Sequence, residues 1–156
     1  MTERDDLQDL GSSLFATLKK AGGLGLAAPQ INLLKRVFVI DTSPISEEDA
    51  SIEKSEGIFI NPVILEKSKE NIIYREGCLS FPDIFEEVKR PEKIIVRYED
   101  MSFKIYEEKL DGIVARIFQH ELDHLDGILF IDKINALRRK LLAGKLKRIR
   151  KLSKIQ

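Results

Sequence analysis

The chain has 156 residues, 43% of them hydrophobic, which suffices for one ordinary domain that buries about 70% of its unfolded surface without staples. A single cysteine excludes an intramolecular disulfide, the first ten residues are charged rather than apolar, and no run approaches the ~18 apolar residues of a membrane span, so a soluble, intracellular protein is expected. Lys+Arg and Asp+Glu balance at 26 each, yet nine of the basic residues and no acid lie in 134–156, which leaves 0 − 9 = −9 for residues 1–133.

Leu7, Leu10, Leu14 and Leu18 recur at spacings of three and four, the mark of one apolar stripe on a helix over residues 6–20. Gly22 and Gly23 stop it, because glycine takes the left-handed C-terminal turn without a Cβ clash. Residues 23–30 are small and apolar up to Gln30, and small residues let a backbone approach another element or an extended ligand. They read either as a turn packed on the core or as a backbone edge, through Gly23, Leu24 and Gly25, that holds substrate beside the donor Gln30.

Residues 36–41, β-branched and aromatic, predict a largely buried strand, and residues 42–57, polar and acidic, a surface loop. Residues 58–60 form a short strand with an extended continuation over 63–66, and 71–75 lead as a strand into Glu76-Gly77-Cys78-Leu79-Ser80, placing the cysteine at a strand end or turn. A hairpin is expected from 93–98 and 103–107, although its turn lacks glycine. Asp111 then caps a helix that runs to Leu125, with Gly127 as terminator. On this helix His120 and His124 share a face with Ile113 and Ile117, while Val114, Phe118, Leu122 and Leu125 make a second apolar face, so the helix is central. Residues 128–131 predict a short strand, and the tail an amphipathic helix interrupted at Gly144. The fold class is α+β: antiparallel or mixed sheets packed around a central metal-binding helix, with one catalytic domain over 1–133 and a basic amphipathic helix over 134–156.

Both histidines of the protein stand four residues apart, on one helical face, with Glu121 after the first. The only cysteine, Cys78, supplies a third ligand, and a thiolate with two neutral imidazoles is a donor set for a borderline-soft divalent metal, zinc by default. Three protein ligands leave a fourth position for water, the arrangement of catalytic rather than structural sites. Glu121 is then placed for general acid–base work, and Gln30 with the backbone N–H of Leu79 for the oxyanion of an attacked carbonyl. The bland alternative is a pair of satisfied core histidines. Asp123 is expected to pair with an arginine or to support the site, and is not a catalytic candidate.

Three segments, residues 23–30, 76–80 and 119–125, stand complete and in order as the three signature motifs of the peptide deformylases, which the chain resembles from its first helix into its tail. That resemblance implies hydrolysis of the N-formyl group from the formyl-methionine of new polypeptides in the bacterial cytoplasm, releasing formate and a free amine. It implies Cys78, His120 and His124 as ligands of a divalent metal, Fe2+ natively with Zn2+, Ni2+ or Co2+ as substitutes. Glu121 is implied as general acid and base, Gln30 and Leu79 as oxyanion donors, and Gly25 as a backbone contact that aligns substrate. The basic tail resembles a helix by which some members dock on the ribosome; a solvated helix lying on the domain is its plainer reading. The chain departs from the family in beginning almost at the first helix, where members carry an extended segment and a loop, and the expectation is that missing cover there exposes a sheet edge, weakens stability or reduces activity. Two other functions stay open: a metallopeptidase of the His-Glu-x-x-His type that need not use Cys78, and a ribosome-associated binding protein with a vestigial site.

Overall fold

The computed structural model describes residues 3–153; residues 1–2 and 154–156, the latter the end of the predicted tail helix, lie outside them. Helix α1 (Glu3–Ala21) is followed by β1 (Gly25–Ala27), a 3-10 turn (Ala28–Ile31), β2 (Val37–Asp41), a single helical turn α2 (Ser43–Ser46) and the long β3 (Glu56–Lys67). Then come β4 (Asn71–Cys78), β5 (Phe81–Pro91), β6 (Ile94–Glu99), β7 (Ile105–Leu110), α3 (Gly112–Leu125), a 3-10 turn (Phe130–Asp132), α4 (Ala136–Leu141) and α5 (Ala143–Ser153). One sheet has the order β1-β2-β3-β6-β7 and β4 pairs with β5 in a second; every pairing among the described residues is antiparallel.

The five-stranded sheet is a middle layer, and β2 shows why. Its side chains alternate: Phe38 and Ile40 pack with Phe118 and Leu122 of α3, while Val37 and Val39 pack with the leucine stripe of α1. Phe38, Phe59 and Phe118 meet at 5.0–5.3 Å between ring centroids, two of the three contacts edge-on, the geometry aromatic quadrupoles favour. Each fully buried side chain of this size contributes ~1.5–3 kcal/mol. The other side of α3 faces β4–β5, so the helix lies between two sheets and is buried from Ala115 to Leu122. Asp111 occupies the N-cap position, but its side chain makes no capping hydrogen bond; Gly112 and Gly127 both take positive φ at the two ends.

Several expectations need correction. Residues 28–31 form a 3-10 turn and 25–27 a strand, rather than one turn. The apolar run 128–131 is no strand: Asp132 Oδ2 accepts the Leu129 N–H at 3.0 Å and closes the 3-10 turn Phe130–Asp132, which sinks Phe130 and Ile131 into the core. The tail breaks at Leu142, which turns inward and is buried, and Gly144 lies inside α5. The segment 81–91, to which the sequence reading gave no element, is β5. Ile134 and Leu142 complete a third core cluster with Ile84, Val88, Phe130 and Ile131, so the tail's first turns pack on the body rather than lying apart from it.

Candidate metal centre

Cys78 is the last residue of β4. There the β4–β5 register jumps from Gly77 opposite Phe85 to Cys78 opposite Phe81, an irregularity of the kind that re-aims side chains next to active sites. His120 and His124 stand one turn apart on α3, their ring centroids 5.0 Å from each other. The donor atoms of Cys78, His120 and His124 all lie within 4.8 Å of one another, and Cys78 Sγ is 3.2 Å from His124 Nε2. Tetrahedral binding of one divalent ion with bonds of 2.0–2.3 Å places donors ~3.3–3.7 Å apart, so the three residues fit such an ion with small adjustments.

The surroundings fix the imidazoles. Glu76 Oε2 lies 3.0 Å from His120 Nδ1. Burial opposes ionisation of Glu76, but hydrogen bonds from His120, Arg90 and Arg116 outweigh it and hold its pKa down at about 2. An ionised carboxylate only accepts, so Nδ1–H donates and Nε2 of His120 is left for a ligand. Burial also resists charging His120, yet Cys78, Glu76 and Glu121 outweigh it and push its pKa up to about 10; this spot favours positive charge. Burial and the neighbouring His120 hold His124 down at about 4, in the neutral form a metal requires.

Glu76 is itself held by two arginines, Arg90 at 2.6 and 2.9 Å and Arg116 at 2.8 Å, and Arg90 also reaches Asp123 at 2.6 Å. The expected pairing of Asp123 with an arginine is thus met, and Lys133 adds a contact at 3.3 Å. Sequence reading assigned no role to Glu76, Arg90 or Arg116. A signal existed for Arg116, which precedes His120 by one helical turn on the same face. Arg90 offered only its period-two spacing from Ile84 and Val88.

Glu121 is 3% exposed, and among the described residues its Oε2 has no hydrogen-bond partner. Burial raises its pKa to about 7, with His120 and Arg90 opposing the rise. A Cβ at residue 25 would meet Glu121 Oε1 at 2.5 Å, so only glycine lets β1 pass over this carboxyl. Gln30 accepts the Ala27 N–H through Oε1 at 2.8 Å, while Nε2 points to Ser80 Oγ at 3.1 Å and Cys78 Sγ at 3.7 Å. Leu79 packs against Gly23, where a Cβ would lie 2.8 Å from its Cδ1. Gly23, Leu24, Gly25, Gln30, Cys78, Leu79, His120 and Glu121 all line one cavity of about 680 Å³; His124, the remaining candidate, is not in its wall and joins through Cys78. The three sequence segments therefore converge on a single pocket that can hold a metal, activate water and donate to an oxyanion.

Comparison with known proteins shows one family. The sequence model of the family described as Polypeptide deformylase matches residues 1–140. A peptide deformylase of Zymomonas mobilis is 43% identical over 148 residues, covering 95% of this chain and 83% of the relative. One from Novosphingobium aromaticivorans is 40% identical over 161 residues, covering 94% and 86%. Among solved structures, a Plasmodium falciparum peptide deformylase superposes with a TM-score of 0.88 at 37% identity, covering 100% of this chain and 89% of that one. A plant peptide deformylase gives 0.85 at 34% identity, covering 95% and 78%.

Proposed function

From the premise that this chain belongs to the polypeptide deformylase family, and so is a metal-dependent hydrolase acting on the N-formyl group of nascent peptides, we propose that it deformylates formyl-methionine and releases formate through nine named residues. Cys78, His120 and His124 hold one divalent metal, Fe2+ natively, with Zn2+, Ni2+ or Co2+ able to replace it; the S, N, N donor set suits all four. When bound, the metal supplies a Lewis acid that polarises the carbonyl and eases deprotonation of water. Glu121 takes the proton as the water oxygen bonds to the formyl carbon, and returns it to the amine nitrogen as the C–N bond breaks. Gln30 Nε2 and the Leu79 N–H donate to the oxygen on which charge develops. Gly23 and Leu24, which lead into β1, and Gly25, its first residue, align the peptide by backbone contacts.

The observation that carries this reading is the buried Glu121 carboxyl, whose Oε2 has no hydrogen-bond partner among the described residues, beside three converging donors that can hold a metal. A buried orphan oxygen is costly unless substrate or water completes it. The two sequence relatives described above are bacterial, and a bacterial cytoplasmic location is proposed with them. The tail's basic residues among the described ones are all exposed and support docking on ribosomal RNA. The test is formate release from a formyl-methionyl peptide by anaerobically iron-loaded protein, with unformylated peptide as control. Formate from the first and no cleavage of the second is expected; peptide-bond cleavage without formate establishes a metallopeptidase instead.

A further inference from the structure

Asp123 stands in the last turn of α3, where the carbonyl ends of the helix disfavour a negative charge. Its Oδ2 is shared by two cations, the Arg90 guanidinium at 2.6 Å and Lys133 Nζ at 3.3 Å. Arg90 carries the contact inward: it grips Glu76 at 2.6 and 2.9 Å, and Glu76 Oε2 accepts from His120 Nδ1 at 3.0 Å. Lys133, Asp123, Arg90, Glu76 and His120 therefore make one chain of polar contacts from the root of the tail to a proposed metal ligand. An isolated exposed ion pair contributes little, because water screens it and two long side chains lose freedom. This lysine differs in both respects. Its backbone N–H donates to Phe130 O at 3.0 Å as the 3-10 turn closes, and the same turn lays the buried Phe130 ring 5.9 Å from His120. Its partner Asp123 is only 14% exposed and already held by Arg90, so the acceptor is preorganised. Without Lys133, Arg90 alone would hold Asp123 against the helix end while serving both oxygens of Glu76.

We propose that Lys133 is a positioning residue for the metal centre: through Asp123, Arg90 and Glu76 it holds the His120 imidazole in the orientation that leaves Nε2 for the ion. This rests on the metal-dependent reading of the site. Lys133 touches neither the ligand atoms nor the cavity described above, and acts only through the residues between. Partners bonded directly to a metal-ligating histidine govern roughly 10- to 100-fold in metal affinity, and a group acting through intermediaries is expected to govern less, ~3- to 10-fold.

The test uses the full chain loaded with Co2+, whose visible absorption reports the geometry of its ligands, and follows Co2+ loss to a chelator. Lys133→Met and Lys133→Gln are expected to shift the absorption band and to speed Co2+ loss by ~3- to 10-fold, and Lys133→Arg to restore both. Asp123→Asn is expected to act in the same direction, and its combination with Lys133→Met to be less than additive, since the two lie on one path. Arg36→Met is the control: it removes another ion pair at the same end of α3, that with Asp126 at 2.8 Å, and should leave band and rate unchanged. An unchanged band and rate in both neutral Lys133 variants, or the same change in Arg36→Met, overturns the proposal while leaving the metal centre intact. Wild-type protein that takes up no Co2+ overturns the metal-centre reading and this inference with it.

Discussion

Glu76 shows how one side chain ties stability to the metal centre. It accepts from two buried arginines and orients His120, so its charge is needed by three neighbours at once. Its folded pKa of about 2 lies below the ordinary 4.5, so its contribution is complete above 4.5 and is lost as pH falls from there through 2. An acid titration followed by near-ultraviolet circular dichroism should show stability declining across that window. Glu76→Gln removes the carboxylate but leaves Arg90 and Arg116 buried and uncompensated. A loss of ~3–5 kcal/mol at neutral pH is expected in denaturant unfolding, with a shallower acid slope than the wild-type chain. Sequence reading found the candidate ligands, which the fold brings together, because Cys and His are rare here and because i, i+4 spacing is a direct statement about a helix face. It could not find Arg90 or Arg116 in the same way, since a charged residue is expected outside until its buried partner is known.

At the scale of elements, α3 carries two of the proposed ligands and the proposed base because both its sides are apolar or paired. Phe118 fills the gap between the rings of Phe38 and Phe59, and Phe118→Ala should lower stability by ~3–5 kcal/mol, read from the urea midpoint. The long periodic elements were legible: the α1 stripe, the β2 run and α3 itself each bury what their spacing says. β5 was not, because Glu86 and Arg90 interrupt its apolar alternation with charges. Arg90 is tolerated inside by Glu76 and Asp123, and Glu86 by Arg138 at 2.7 Å. The run 128–131 failed for a different reason. Four apolar residues look alike in a strand and in a buried turn, and periodicity cannot separate them. Gly144 failed because a lone glycine costs a helix only about 1 kcal/mol, less than Leu142 gains by turning into the core.

At the scale of the molecule, an acidic body carries a basic tail whose inner face belongs to the core. Ile134 and Leu142 are buried against Ile84 and Phe130, and Phe130 lies 5.9 Å from the His120 ring. Removing the chain from residue 134 onward therefore strips part of the packing behind the proposed metal ligands, and a fall in thermal midpoint with weakened metal retention is expected. Ribosome docking is better tested by charge. Replacing the exposed Lys147, Arg148 and Lys151 by glutamate should reduce co-sedimentation with ribosomes far more than formate release from short peptides, and added salt should mimic the change. Equal co-sedimentation before and after the replacement leaves the tail as a packing element alone.

The central claim is that a metal held by Cys78, His120 and His124 works with the buried carboxyl of Glu121. Glu121→Gln keeps the shape and the three ligands, so metal content and formate release measured on one anaerobic preparation test it directly. Bound metal at the wild-type level with formate release lower by at least ~100-fold is predicted. Wild-type turnover with the metal in place would contradict the account.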